Sequence, residues 1–305
     1  MITILKNKLL DNRYYLAVVL FLIATFFHMF HSVLIKFIGL KGVYSTYEII
    51  FIRSLVVAVI LTPLFLAKKI KFIERKNLKT NLLFAGFSII GSYCWHYGLH
   101  MVPVNNAIIV NYMIPMVIPM LAVIFLKERV SKAVMFSILI CFGSILIINK
   151  PKEVLKLGYL LLLIDVCCYS MSIVISKKLM LKKQSPVAVF YFKILVVIIT
   201  STHAIPSLSI KIVNDAQIWL PTLLVGLLYL CENLLFFTAY MLVSVSKLQP
   251  LYYTRIVFAA LISYLILGEI LHLSQIVLAG IIIAVNINLI RCEHKAKKAV
   301  VLQSK

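Results

Sequence analysis

The chain of 305 residues is 63% hydrophobic and 13% charged, with a mean hydropathy of +1.04. Soluble domains run at about 45–50% apolar and about 25% charged, so this surplus cannot be hidden inside one 34.6 kDa globule and much of it must face lipid. A soluble enzyme, a disordered chain, a collagen and a secreted disulfide scaffold are excluded, whereas the formal net charge of +21 leaves nucleic acid to be judged by where the basic residues sit.

A spanning helix needs about 20 mostly apolar residues. The first half of the chain offers five such runs, Tyr15–Phe37, Glu48–Ala67, Asn81–Leu99, Ala107–Leu126 and Ala133–Asn149. The second half offers Leu157–Ser176, Pro186–His203, Ile218–Met241, Leu248–Leu267 and Leu273–Ile290. The runs are solidly apolar and do not alternate, which predicts helices and not barrel strands. Tyr15–Phe37 is too long for a signal-peptide core and carries no small-residue cleavage motif, so it is expected to stay as a span. The lysine-rich end, residues 291–305, reads as a frayed tail.

With the N-terminus inside, 22 Lys and Arg fall in cytoplasmic loops and tails and six outside, while Arg53, Lys193 and Arg255 lie within spans. That asymmetry supports an even helix count with both termini inside. It also accounts for the basic charge through lipid headgroups and topology, without nucleic acid. The six cysteines form no C-x-x-C pattern, so neither a metal nor a cofactor is expected, and the thiols should pack as small apolar groups.

One offset, 141 residues, lays the second half over the first. It matches Lys36 with Lys177, Glu128 with Glu269, Tyr112 with Tyr253 and Asn111 with Tyr252. An offset of 140 matches Arg53 with Lys193. Five helices is an odd number, so the second repeat enters the membrane the other way up, the arrangement that lets a carrier expose a central site to either side in turn. The expected fold class is therefore an all-α integral membrane protein of two inverted five-helix repeats. Residues 1–14 form a cytoplasmic N-terminus, 15–149 the first repeat, 150–156 an extracytoplasmic linker, 157–290 the second repeat and 291–305 a cytoplasmic basic tail.

Particular stretches carry a family resemblance over most of the chain. They include Ser32-Val33-Leu34-Ile35-Lys36 with its mirror Val174-Ile175-Ser176-Lys177, Phe51-Ile52-Arg53, and Tyr97-Gly98-Leu99 followed by Pro103. The most specific are the helix ends Phe125-Leu126-Lys127-Glu128 and Ile266-Leu267-Gly268-Glu269. By these the chain resembles the drug/metabolite transporter superfamily in its ten-helix EamA-type branch. Ile114-Pro115 and Gln249-Pro250-Leu251-Tyr252-Tyr253 make it most similar to the S-adenosylmethionine uptake carriers of intracellular bacteria. Lys127 stands where that family usually has glycine, and Arg255 where an acidic or neutral residue is expected. The resemblance implies a secondary transporter in a bacterial inner membrane, with a small-molecule substrate and no cofactor.

Ionisable groups inside spans are costly and mark pathways or paired sites. Asp165 lies near the middle of the sixth run, on one stripe with Tyr169, Ser172 and Ser176. The repeat maps Tyr169 and Ser172 onto His28 and His31, so both stripes are expected to line one cavity or to hydrogen-bond between helices. Glu232 shares a face with Tyr229, Phe236 and Tyr240, a setting that suits a cation site, a proton carrier, or a salt bridge to Arg255 or Lys193. Arg255 suits either a substrate carboxylate or neutralisation of Glu232. Asn111, Tyr112, Gln249, Tyr252 and Tyr253 should line the cavity beside backbone loosened by Pro115, Pro119 and Pro250, with Trp95 and His96 as further candidates. Lys36, Arg53, Glu128, Lys177, Lys193 and Glu269 read as structural or topological charges, with Arg53 and Lys193 near enough to helix ends to snorkel. No metalloprotease, serine-hydrolase or nucleotide-binding motif is present, and the loops leave little surface for a protein partner. A carrier of an amphoteric solute such as S-adenosylmethionine fits the charges, as would one for an amino acid, a polyamine or a cationic drug.

Overall fold

Large apolar side chains cover the outside as well as the core, and several ionisable and polar ones are buried, unlike a soluble protein. Leu66, Phe136, Ile124, Leu220 and Leu265 are largely exposed, while His31, Glu48, Asp165, Glu232, Gln249 and Arg255 are buried. The computed structural model describes residues 2–40, 44–67, 75–101, 110–149, 157–202, 216–268 and 273–303. They form α1 (Ile2–Leu40), α2 (Thr46–Leu66), α3 (Leu78–Met101), α4 (Ile114–Leu126) and α5 (Lys132–Asn149). There follow α6 (Leu157–Leu181), α7 (Pro186–Thr200), α8 (Ala216–Leu242), α9 (Arg255–Leu267) and α10 (Leu273–Gln303). Among the described residues four segments are long and apolar enough to cross a membrane, Arg13–Ile38, Tyr47–Leu66, Leu157–Leu181 and Leu220–Leu242.

Local chemistry sets the helix ends. Ser45 opens α2 with a capping box: its hydroxyl accepts from the Glu48 N–H at 3.3 Å and its own N–H donates to the Glu48 carboxylate at 2.6 Å. The expected ninth helix starts later than its apolar run, and the expected fourth is interrupted within its own. Residues 102–109 lie outside the described residues; Val110 and Asn111 are helical, Tyr112 and Met113 make a turn, and α4 runs on from Ile114 with Pro115 in its first turn, where the missing N–H costs nothing. Before α9 the chain makes a single α-turn, Val245–Leu248, and then a 3-10 segment, Gln249–Thr254, that holds Pro250. Pro250 thus starts a tighter helix and does not kink an α-helix, whereas Pro119 does lie inside α4. The basic tail is not frayed at its start: α10 continues to Gln303.

The α-helical halves of these two spans end alike. Lys127 closes α4 in the left-handed region at φ 56°, and Gly268 closes α9 at φ 67°. A left-handed cap suits glycine, because a Cβ crowds the following carbonyl, which gives Lys127 a physical cost.

The most extensive helix contacts are α3 along α6 and α1 along α8. The helix α8 also packs on α2, and α3 on α7; α4 packs on α6, and α1 on α9. Contacts of α2 with α7 and of α5 with α10 complete the arrangement. All six cysteines are free; Cys141 and Cys168 are buried as small apolar groups, but Cys167, Cys231 and Cys292 are exposed on the apolar outer face, against expectation.

Replacing Lys127 by glycine should stabilise the protein by about 1 kcal/mol through relief of the left-handed backbone. Thermal unfolding of purified protein in detergent should show a higher midpoint for Lys127→Gly and a lower one for Gly268→Ala. An unchanged or lower midpoint for the glycine variant would contradict the strain.

Candidate substrate cavity

Two polar clusters occupy the interior. In the first, His28 and His31 are one turn apart on α1 and both turn Nδ1 towards Glu232 on α8. His28 Nδ1 lies 3.2 Å and 3.1 Å from the two carboxylate oxygens, so the ring N–H donates to both. His31 Nδ1 approaches Oε2 at 2.8 Å but off the hydrogen-bonding direction, a close polar contact without an aligned bond. Asn233 adds a 3.2 Å amide bond to Oε1. The carboxylate read as a cation site, a proton carrier or a salt-bridge partner of Arg255 or Lys193 is therefore matched by imidazoles.

The three ligand atoms of His28, His31 and Glu232 lie within 4.8 Å of one another, close enough to chelate a small transition-metal ion. The surrounding charge opposes a dication. Arg53 sits 4.0 Å above the Tyr229 ring, which itself touches His31 with centroids 5.8 Å apart. Lys193 lies 5.5 Å from the same Tyr229 centroid. Arg53 and Lys193 were expected to snorkel outward along their stems; instead both turn to Tyr229 in the interior, Arg53 over its ring and Lys193 to its hydroxyl.

The second cluster joins α6 to the two irregular segments. Asn111 donates from Nδ2 to the Asp165 carboxylate at 3.3 Å and accepts from the Tyr252 hydroxyl at 3.0 Å. Tyr253 donates to the Tyr112 carbonyl at 3.3 Å, and their rings lie 6.0 Å apart. The guanidinium of Arg255 covers the Tyr252 ring at 3.6 Å, with Phe236 at 6.0 Å. Asp165 reaches this position because α3 comes close: a Cβ on Gly91 would stand 3.0 Å from its Oδ1. No carboxylate among the described residues lies within ion-pair distance of buried Arg255 or of half-buried Arg53 and Lys193.

Other expected cavity residues lie elsewhere. Trp95 packs against Tyr159 and Leu162 of α6, in a small apolar group apart from both clusters. Gln249 is buried but bonds its own turn, donating to the Val245 carbonyl at 3.1 Å. The side chain of His96, and Glu269, lie outside the described residues. Tyr169 is half-buried on α6 and interacts with Arg255.

Two residues read as topology charges instead hold a helix junction. Glu128 accepts from the Val245 N–H at 2.9 Å, the Ser246 N–H at 3.1 Å and the Ser246 hydroxyl at 2.7 Å, capping the turn between α8 and α9. A carboxylate at a helix start satisfies orphan N–H donors and the end of the helix dipole. Lys177 is buried and donates to the Tyr240 carbonyl and, at 3.0 Å, to the Val243 carbonyl at the end of α8. Lys36, its repeat partner, is exposed.

The Tyr252–Asn111 bond should contribute about 1 kcal/mol. A double-mutant cycle of Tyr252→Phe and Asn111→Ala, read by thermal unfolding, should return a coupling of that size. Strict additivity would mean the two side chains do not interact.

Comparison with known proteins follows this geometry. The model of the EamA-like transporter family matches residues 15–150 and again 156–288. An S-adenosylmethionine uptake transporter of Rickettsia bellii is 26% identical over 280 residues, 87% of this chain and 90% of the relative. Proteins of the same description from Rickettsia felis and Rickettsia prowazekii are 25% and 23% identical over 87% and 90% of this chain, and 89% and 92% of theirs. A solved crystal structure covers 88% of this chain and 94% of its own at 15% identity with a TM-score of 0.71, a likeness of fold. The paired family match, with polar clusters inside an apolar shell, identifies a multi-pass membrane transporter of a small molecule: the chain belongs to the EamA-like transporter family.

Proposed function

We propose that the protein is a ten-span secondary carrier of a bacterial inner membrane, with both termini cytoplasmic, that moves a small metabolite by alternating access between two inverted repeats. Residues 15–149 and 157–290 are the repeats, joined by 150–156 and flanked by the cytoplasmic segments 1–14 and 291–305. The observation that carries this reading is the meeting of repeat partners: Asn111 bonds Tyr252, and Tyr253 bonds Tyr112, each across 141 residues. Residues related by a two-fold rotation can touch each other only beside its axis. The helix contacts have the same symmetry, since exchanging the repeats turns α3–α6 into α8–α1, α2–α8 into α7–α3, and α4–α6 into α9–α1.

The cavity lies where such an axis passes. Asn111 joins Asp165 to Tyr252, whose ring Arg255 covers, and Glu232 with its histidines makes the other cluster. Glu128 and Lys177 tie repeat one and the start of repeat two to the α8–α9 junction on the cytoplasmic side. Their repeat partners, Glu269 and Lys36, would form the matching clasp outside when the carrier turns over. Distant relatives named as S-adenosylmethionine uptake transporters make that solute the first to test. Its adenine could stack on Tyr252 and its cationic groups face Glu232 and Asp165. A carrier and not an enzyme is the reading that the family supports.

Proteoliposomes bearing the full chain should take up labelled S-adenosylmethionine, faster when preloaded with the unlabelled solute if exchange drives the cycle. Glu232→Gln and Asp165→Asn, each monodisperse with a cooperative melt, should each lower uptake about ten-fold or more, the equivalent of at least 1.4 kcal/mol. Full uptake by both variants would refute the roles given to these carboxylates.

A further inference from the structure

Arg53 and Lys193 are unlike the other intramembrane charges. They occupy matching places in the two repeats, on α2 and α7, and both converge on the ring of Tyr229. Their charged ends are therefore no more than about 9.5 Å apart. Nothing anionic among the described residues lies within ion-pair distance of either, and the Arg53 Nε is buried without a hydrogen-bond partner. Lys193 also hydrogen-bonds the Tyr229 hydroxyl and is flanked by rings, Phe190 at 5.7 Å and Phe84 at 6.0 Å. Two cations gathered around one ring without a counter-ion repel each other, and cation–π attraction accounts for their direction but not for a pair.

A narrow crevice lies about one helical turn away from them. It lies between α2, α3 and α7 and is lined by Tyr47, Ile50, Ser92, Tyr93, Val197 and Thr200. Ile50 is three residues from Arg53 and Val197 four from Lys193, so each cation lies one helical turn below the lining on the same face. Tyr47 and Tyr93 stack at 6.2 Å, and the Tyr93 hydroxyl bonds the Thr200 carbonyl at 3.1 Å across to α7. In the orientation proposed above this crevice opens at the extracytoplasmic face.

We infer that Arg53 and Lys193 form an oxyanion half-site, entered from the extracytoplasmic face between Tyr47 and Tyr93, that takes the carboxylate of the carried solute. The inference rests on the carrier reading and deepens it: the solute carries an anionic group as well as whatever meets Glu232 and Asp165. One cation comes from each repeat, so a bound carboxylate bridges the repeats and draws α2 and α7 together. A guanidinium offers a planar fork to a carboxylate and the ammonium a point charge, the usual complement for an oxyanion.

The test is ligand protection of the purified full chain in detergent, read as a shift of the thermal midpoint and so independent of transport. S-adenosylmethionine should protect at a concentration about ten-fold lower than its decarboxylated analogue. That preference should vanish in Arg53→Met and in Lys193→Met and persist in Arg53→Lys, with the ligand-free midpoints showing that each variant is folded. L-methionine and inorganic phosphate are run beside them. If S-adenosylmethionine fails but L-methionine protects, and both Met variants abolish it, the substrate proposed above is wrong and the half-site stands. Phosphate protection lost in the same two variants supports the half-site and assigns it to a phosphorylated solute. Protection by none of these probes, or a carboxylate preference unchanged in both Met variants, overturns the inference.

Discussion

A carboxylate placed in the middle of an apolar helix bundle must be matched by hydrogen-bond donors or protons, because lipid offers neither. Glu232 is matched by His28 and His31, one turn apart on a single helix. That requirement fixes the rotation of α1 against α8, one of the two most extensive helix contacts. Fixing those two helices sets the Tyr229 ring beside His31 and the Phe21, Phe236 and Tyr240 rings one to two turns further along. Arg53, Lys193 and Arg255 then take their places against rings of the same α8 face.

The second acid is handled differently. Asp165 sits where α6 passes a glycine of α3, and its partner is the Asn111 amide. The repeat maps Gly91 onto Glu232 and Asp165 onto Ala24. Each long interface therefore carries one acid, on α6 opposite Gly91 in one case and on α8 opposite the α1 histidines in the other. Two acids in related interfaces, with three cations that have no carboxylate at ion-pair distance among the described residues, give an interior that favours a solute bearing both signs of charge.

Much of this was legible in the sequence because lipid imposes strict rules on it. The apolar runs located the helices, and the 141-residue offset paired Asn111 with Tyr252 and Tyr112 with Tyr253 before any contact was known. Helical spacing put His28 and His31 on one face. Their partner was not legible, since nothing along one helix states which residue 204 positions away will oppose it. Arg53 and Lys193 were misread because distance from a helix end says how far a side chain could reach, not which way it turns. The start of α9 was missed for a similar reason. Hydropathy does not distinguish an α-helix from the 3-10 segment that Gln249–Thr254 forms, and Pro250 could only be read as an interruption. Glu128 and Lys177 carried the strongest repeat signal yet seemed to be loop charges, because their partners are backbone groups that no residue pattern announces.

The central claim is that the two repeats move against each other about a shared axis, with the Glu128 and Lys177 clasp holding one end closed. Arg129 and Met241 are exposed residues of different repeats beside that clasp. Spin labels at these two positions, in a background without the native cysteines that still transports, would report the gap by pulsed electron resonance in liposomes. The account predicts two distance populations, the longer one filled by adding transported solute and dominant in Glu128→Ala. A single unchanging distance, with and without solute and in the clasp variant, in protein that still transports would contradict it.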